Sequence, residues 1–317
     1  MAAEERELIT LEHVACCICG GVDGKPVGVG EDFEYHTSAH SFLAVRCPTC
    51  DLIYLDPRPS MASLGTIYPD DYHAFAFDEE QFGIVHKVRS RLEAHRLLRA
   101  GKGLPENARV LDVGCGDGFH LDLLRTHGPS GWQLHGIDTD SRAVAAARQR
   151  GLEVEEGSIE NSALEPSSID FALCIQTIEH VADPLAILRA IGKVLKPGGC
   201  LYLITDNTGS PDFKLTKGRH WGGYHFPRHW NLFNKQSMRK LSAAADLEVA
   251  KLSTTTSPVN WTYSIRNALV DWNAPSWMIR QFSLKAAPAL AVFTAFDSML
   301  TLVGRGALLR VILRRPQ

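Results

Sequence analysis

Four sets of residues in this chain of 317 carry ligand-binding or proton-transferring groups at informative spacings. The first is Val110-Leu111-Asp112-Val113-Gly114-Cys115-Gly116-Asp117-Gly118, an apolar run that passes straight into a glycine-rich turn. Glycines let the backbone bend tightly there and let a ligand approach with no Cβ in the way. The second is Gly136-Ile137-Asp138, which puts a carboxylate at the end of the next apolar run. In open α/β sheets ligands sit at that edge, and an acid there can accept both hydroxyls of a ribose. The third is a pair of knuckles, Cys16-x-x-Cys19 and Cys47-x-x-Cys50, which can offer four thiolates to a tetrahedral, structural zinc. Cys17 is an alternative to Cys16, but Cys16 alone gives the knuckle spacing. The fourth is a set of histidines: His180, and His225 and His229 within the aromatic, Gly-rich stretch from His220 to Trp230. Histidine is the natural base near neutral pH.

Placing these groups together requires strands and helices in alternation, and the pattern supplies them. Arg109–Val113 and Gln133–Asp138 read as strands, Phe119–His127 and Pro184–Leu195 as helices, and Asp170–Gln176 and Leu201–Thr205 as further strands. Such alternation predicts βαβ units. The expected fold is α/β: a Rossmann-like, seven-stranded, mostly parallel sheet with helices on both faces, plus a small zinc-ribbon-like N-terminal module. Residues 1–58 would be the zinc-binding module and 59–101 a connecting segment and helix. Residues 102–317 would form the catalytic domain, with a lid-like insertion at 258–304 between the last two strands. Within that insertion, Thr294, Asp297, Ser298 and Thr301 fall at i, i+3, i+4 and i+7 among apolar residues. This predicts a helix with a wide apolar face and a thin polar stripe. It reads either as a lid helix packed on the core or as a lid for a lipophilic acceptor, with peripheral membrane contact through 286–305.

The glycines choose between two cofactors. A dinucleotide turn needs G-x-G-x-x-G, with the pyrophosphate on the helix N-terminus. Here they run G-x-G-x-G, and Asp117 would repel a phosphate. Asp112 just before the turn suits a ligand that carries an ammonium group. With Gly157-Ser158-Ile159-Glu160, Ile178-Glu179-His180-Val181-Ala182-Asp183-Pro184 and Val194-Leu195-Lys196-Pro197-Gly198-Gly199, the stretch from Val110 to Pro197 resembles class I S-adenosylmethionine-dependent methyltransferases of the ubiquinone and menaquinone type. The resemblance implies that Asp112, Gly114, Cys115 and Gly116 hold the methionyl part and that Asp138, followed by Thr139, binds the ribose. Ile159 and its neighbours would flank the adenine. The family often has Asp where this chain has Ser158, and Glu160 is the alternative contact to the adenine amine. Gln176 and Thr177 would line the pocket. His180, His225 and His229 would mark the acceptor side, each also readable as a histidine that fixes a loop.

The implied activity is methyl transfer from S-adenosylmethionine to an oxygen or carbon of a small natural-product, sugar or lipid-like acceptor. Two other classes compete. An RNA methyltransferase could use the zinc module on RNA, but the net charge is −3 and no basic run lies between Cys19 and Cys47 to follow phosphates. A non-catalytic binding protein on the same fold would not need so intact a turn. Eight cysteines and an acidic N-terminus without a following apolar run point to the cytoplasm, where clustered thiols more often bind metal than pair. Cys115, Cys174 and Cys200 beside core strands read as small buried hydrophobes.

Overall fold

Apolar runs bounded by glycine or by a capping acid set the elements. The structure, a computed structural model, describes residues 8–69 and 79–317. The acidic N-terminus and part of the expected 59–101 connection lie outside the described residues. A two-residue strand, Leu11–Glu12, pairs with Arg58–Pro59, and between them lie three longer strands: β1 (Lys25–Gly30), β2 (Phe42–Arg46) and β3 (Ile53–Leu55). Helix α1 (Glu79–Ala100) leads into β4 (Arg109–Val113), α2 (Phe119–His127), β5 (Gln133–Asp138) and α3 (Ser141–Gln149). Then follow β6 (Val154–Glu156), β7 (Ile169–Ile175), α4 (Pro184–Val194), β8 (Leu195–Asp206) and α5 (Pro211–Thr216). The chain closes with β9 (Asn231–Leu232), α6 (Lys235–Ala244), β10 (Glu248–Thr255), α7 (Val259–Asp271), α8 (Ala287–Leu302) and β11 (Leu308–Arg314).

The main sheet has seven strands in the order β10-β11-β8-β7-β4-β5-β6. Strands β4 to β8 are mutually parallel, and β11 is antiparallel to both of its neighbours. The helix starts are encoded locally. Asp140 accepts hydrogen bonds from the Arg142 and Ala143 N–H groups at α3, and Asp183 accepts from Leu185 and Ala186 at α4, with Pro184 in the first turn. Strand β8 begins earlier than expected. The sequence places this strand at Leu201–Thr205, yet Leu195 already pairs with Ile169, and the register shifts before Cys200. Gly198 at φ +78° makes that irregularity tolerable.

Residues 8–69 do not stand apart from the rest. The second sheet runs β9-β3-β2-β1, so the strand Asn231–Leu232, which follows β8 by 24 residues (231 minus 207), completes it. Cys16, Cys47, Cys50 and Leu52 share one buried cluster with Phe233, Met238 and Leu241. An ion pair crosses the same boundary. Arg228 and Asp32 are both fully buried, joined by Nη2–Oδ2 at 3.0 Å and Nη1–Oδ1 at 3.2 Å. Arg228 Nε also donates to the Ile67 carbonyl at 2.6 Å, and its guanidinium lies 4.4 Å over the Tyr35 ring. Asp32 accepts from the N–H groups of Tyr35 and Thr37 as well. Burial alone would raise its pKa, but Arg228 holds the carboxyl well below the usual range.

The insertion folds in two parts. Helix α7 packs on Gly222–Tyr224, so closely that a Cβ at Gly222 would meet the Asn260 carbonyl. Helix α8 shows the expected stripe in an unexpected orientation: Asp297, Ser298 and Thr301 turn inward beside the half-buried Phe293 and Leu300, while Val292, Phe296, Met299 and Leu302 face out. Asp297 alone in α8 is buried. It accepts from the N–H groups of Ser257 and Ala307 and from Trp261 Nε1. Ser298 and Thr301 reach the Thr256 hydroxyl at 3.3 and 3.2 Å. The physical reason is that the chain leaves β10 and enters β11 here, and the N–H groups freed at those ends need acceptors. Among the described residues no helix is long and apolar enough to cross a membrane.

Asp32→Ala leaves a buried guanidinium uncompensated. We expect it to destabilise the protein by roughly 3–5 kcal/mol in urea denaturation. Because the core is shared, loss should occur in one transition common to both sheets. A stability change near zero would show that the pair carries no such role.

Candidate active site

The glycine turn joins β4 to α2 with Gly114, Gly116 and Gly118 at φ +72°, +55° and +82°. A Cβ at Gly114 would strike Thr177, and one at Gly118 would strike Leu152, whereas Gly116 faces open space. The two outer glycines are needed for packing, and the middle one leaves room for a ligand. Gly116 N–H donates to Asp138 Oδ2 at 2.8 Å, and Asp140 N–H to Oδ1 at 2.9 Å. Each Asp138 oxygen keeps a lone pair for a ribose hydroxyl. Burial raises the Asp138 pKa against those hydrogen bonds.

Asp112 is the more telling acid. It is 1% exposed, and neither carboxylate oxygen has a hydrogen-bond partner among the described residues. His120 Nδ1 stands 3.7 Å away. A buried, unpaired carboxylate costs several kcal/mol, and the ammonium of a methionyl group is the kind of partner that removes the cost. Asp117 argues against a dinucleotide for a reason other than repulsion. It accepts from Phe119 N–H at 3.2 Å and pairs with Arg150 at 3.0 Å, occupying the helix N-terminus that a pyrophosphate would need.

The other expected cofactor residues border the same edge, with differences in what they present. The Cys115 side chain is buried against Leu121 and the Gly136 backbone, so the turn is left with its main chain. Thr139 is exposed after β5. Ser158 precedes the short turn Ile159–Asn161, where Ile159 is buried and Glu160 exposed. The Gly157 N–H to Asp138 carbonyl bond at 2.8 Å ties that turn to β5. Gln176 and Thr177 follow β7, Gln176 at φ +51°.

The three histidines meet, although His180 and His229 are 49 positions apart (229 minus 180). Ring centroids lie 4.5 Å apart for His180–His229 and 5.0 Å for His225–His229. Each ring is held differently. His180 Nδ1 meets the Tyr68 hydroxyl at 2.9 Å, and its ring also bonds the Arg228 backbone. His225 Nδ1 lies 2.7 Å from Glu34. His229 Nδ1 lies 2.9 Å from the Gly223 carbonyl and 3.3 Å from Asp206. A carbonyl only accepts, so Nδ1 carries the proton and Nε2 keeps a lone pair. Burial lowers the pKa of His229 to about 4 and holds His180 well below the ordinary imidazole value.

Two acids lie behind these rings. Asp206 ends β8, where Asn260 Nδ2 donates to it at 2.6 Å, and burial pushes its pKa up to about 7. Glu179 is fully buried, takes the Thr205 hydroxyl at 2.8 Å, and is driven well above the ordinary value by burial and by Asp206. Sequence reasoning missed both, along with Tyr68, Arg228 and Asn260. The rule that found Asp138, an acid at a strand end, applies equally to Asp206. Glu179, His180 and His229 also bring ligand-type atoms within 4.8 Å of one another.

The two cysteine knuckles repeat one geometry. Gly20 N–H bonds Cys16 O at 2.8 Å and Asp51 N–H bonds Cys47 O at 2.9 Å, and the residue after each knuckle is left-handed, Gly20 at φ +71° and Asp51 at φ +61°. Cys16 N–H reaches Gly21 O, and Cys47 N–H reaches Leu52 O. Cys50 N–H points at Cys47 Sγ at 3.3 Å. All four sulfurs lie within 4.8 Å of one another. Four sulfurs so close, with a knuckle amide turned to one of them, fit a tetrahedral zinc shell.

This fold, with its orphaned Asp112 and its carboxylate at the end of β5, defines a class I S-adenosylmethionine-dependent methyltransferase. The model of one family, described as a methyltransferase domain, matches residues 84–252, and the chain belongs to that family. A ubiquinone biosynthesis O-methyltransferase of Xanthomonas campestris pv. campestris is 43% identical over 115 residues, covering 34% of this chain and 47% of the relative. One from Albidiferax ferrireducens is 36% identical over 148 residues, covering 43% and 55%. The chain thus spans about half the length of the curated relatives it matches. Phosphoethanolamine N-methyltransferase 2 of Haemonchus contortus superposes with a TM-score of 0.53 at 18% identity, covering 93% of this chain and 70% of that one. Geranyl diphosphate C-methyltransferase from Streptomyces coelicolor A3(2) gives 0.51 at 12% identity, covering 81% and 84%. At those identities the likeness is one of fold.

Two measurements test the site. Asp112→Asn and Asp138→Ala should each weaken S-adenosylmethionine binding about tenfold or more in calorimetry, since each removes a charge-assisted contact. Unchanged affinity in both would misplace the cofactor. The second concerns Asp206. With its folded-state pKa near 7, the native state keeps a proton that the unfolded chain loses above about pH 4. Stability from this group therefore falls as pH rises from about 4 to about 7. Asp206→Asn should gain melting temperature on the wild type across that window and level off above it. A pH-independent difference would mean that Asp206 is ionised throughout.

Proposed function

We propose that this protein transfers the methyl group of S-adenosylmethionine to an oxygen or carbon acid of a small, largely apolar acceptor, with His229 as the base. The observation that carries this reading is the tautomer of His229: Nδ1 is pinned by Gly223 and Asp206, and Nε2 is left as an acceptor beside His180 at the strand edge. The cofactor supplies an activated methyl group, so the protein must align, exclude water and take a proton. Asp112 would hold the ammonium and Asp138 the ribose, while Ile159 with Ser158 or Glu160 flanks the adenine. Gln176 and Thr177 border the transfer position. The loop from Trp221 to Trp230 is buried almost throughout, which keeps bulk water from the imidazoles. His180, engaged by Tyr68 and Arg228, positions that loop, and His225 does so through Glu34. Burial disfavours charge on both His229 and Asp206 taken singly, and an acceptor proton passing to Nε2 would be stabilised by the ionised form of Asp206 behind Nδ1.

We assign structural zinc to Cys16, Cys19, Cys47 and Cys50. Because three of these thiols belong to the shared core, the metal would stabilise the sheet whose β1–β2 connection carries Asp32 and Glu34, and through them the histidine loop.

His229→Gln should lower turnover about 100-fold, a typical contribution of a general base, with cofactor affinity unchanged. Release of S-adenosylhomocysteine with a panel of hydroxylated aromatic acceptors would report it. Full turnover by the variant would overturn the base assignment. Elemental analysis should find one zinc per chain, lost in Cys47→Ser together with stability of the whole chain. A metal-free preparation of full stability would refute the zinc.

A further inference from the structure

The stretch from Trp272 to Arg305 presents apolar side chains to solvent. Trp272 and Trp277 are 70% and 61% exposed, and on α8 and just beyond it Met299, Leu302 and Val303 are 60%, 88% and 70% exposed. Val292 and Phe296 join them. On a solitary lid helix this face would turn inward. Here it cannot, because Asp297, Ser298 and Thr301 are committed to the ends of β10 and β11. The outward apolar face is thus fixed by hydrogen bonding, and such a surface marks an interaction site.

Charge identifies the occupant. Between Trp272 and Arg305 the charged residues are Arg280, Lys285, Asp297 and Arg305, and Asp297 is buried. Between those two positions no exposed carboxylate occurs, and the exposed charges are cationic. The residue after Val303, Gly304, borders a cleft of about 420 Å³ that also takes in Lys214, Lys217 and Lys235, with Arg46 and Asp51 paired to each other at 2.6 Å. Leu215, 75% exposed between two of those lysines, lines a groove of about 540 Å³ that runs to Trp272. Apolar side chains, indole rings and cations are therefore neighbours on one stretch of surface. A second copy of the chain packed face to face would set cations against cations. An acidic lipid surface satisfies both halves: acyl chains and the interface take the leucines and tryptophans, and headgroup phosphates take the cations.

We propose that α8, the preceding Trp272–Trp277 turn and the Lys214–Lys217 cleft form a docking surface for an anionic bilayer, on which the protein sits without spanning it. The surface would bring the acceptor side of the enzyme to a hydrophobic phase while the cofactor edge stays in water. The docking does not depend on which histidine is the base.

The full chain is mixed with phosphatidylcholine vesicles and with vesicles containing about a third phosphatidylglycerol, and binding is read by flotation and tryptophan emission. Binding is expected to be at least about tenfold tighter on the anionic vesicles, to weaken with salt, and to shift the emission to the blue. Met299→Glu with Leu302→Glu should abolish it, while S-adenosylhomocysteine still raises the melting temperature as in the wild type. Lys214→Glu with Lys217→Glu should remove the preference for phosphatidylglycerol. Trp272→Phe with Trp277→Phe should lose the blue shift. Failure of the wild type to bind either vesicle would overturn the proposal. So would a dimer in light scattering that the Met299→Glu, Leu302→Glu variant dissociates with vesicle binding intact, because the patch would then be an interface between copies.

Discussion

Arg228 is shut off from water, and a buried guanidinium must find a counter-charge and acceptors for its protons. Asp32, the Ile67 carbonyl and the Phe226 carbonyl supply them. Those partners come from three separate parts of the chain, so satisfying one side chain fixes three segments at once. The loop that carries His225 and His229 is held against the N-terminal sheet, and Tyr68, next to Ile67, is brought to His180. A buried ion pair is weak evidence for stability in itself. Its consequence here is that one guanidinium ties the segments of Asp32, Ile67 and Phe226 into one arrangement.

Burial also sets the electrostatics of the sheet edge. Asp112, Glu179 and Asp206 all lie out of water near strand ends, and Asp112 and Glu179 keep carboxylate oxygens with no hydrogen-bond partner among the described residues. Glu179 and Asp206 respond by resisting ionisation. Asp112 has only His120 at 3.7 Å nearby, and a bound ammonium would supply the hydrogen bonds its oxygens lack. His229 is likewise held neutral by burial and is thereby available to accept a proton. One physical term, desolvation, thus prepares both the cofactor side and the acceptor side, with hydrogen bonds choosing which atom acts.

The insertion shows how a shared boundary condition reverses a simple expectation. An amphipathic pattern states that a helix has two faces, and the usual inference sends the apolar one to the core. In α8 the ends of two strands claim the polar stripe first. Backbone N–H groups at Ser257 and Ala307 would otherwise be buried without acceptors, and that penalty outweighs the exposure of a few apolar side chains.

What the sequence determined on its own was whatever is written within a few neighbouring residues. The turn Gly114-Cys115-Gly116, the strand-end Asp138, the caps Asp140 and Asp183, and the two cysteine knuckles were legible because local backbone geometry depends on local residue types. The seven-stranded, mostly parallel sheet followed from their alternation. Strand β6 and helix α5 escaped, being short, and α6 escaped although Asn234 and Ser237 form a capping box at its start. Tertiary structure alone decided that Asn231–Leu232 would complete the N-terminal sheet, that Tyr68 would meet His180, and that Arg228 would pair with Asp32 across 196 positions. It also decided which way α8 would face. Such choices rest on competition among distant groups for a limited number of buried partners, and neither segment of a pair records in its own sequence what the other will offer.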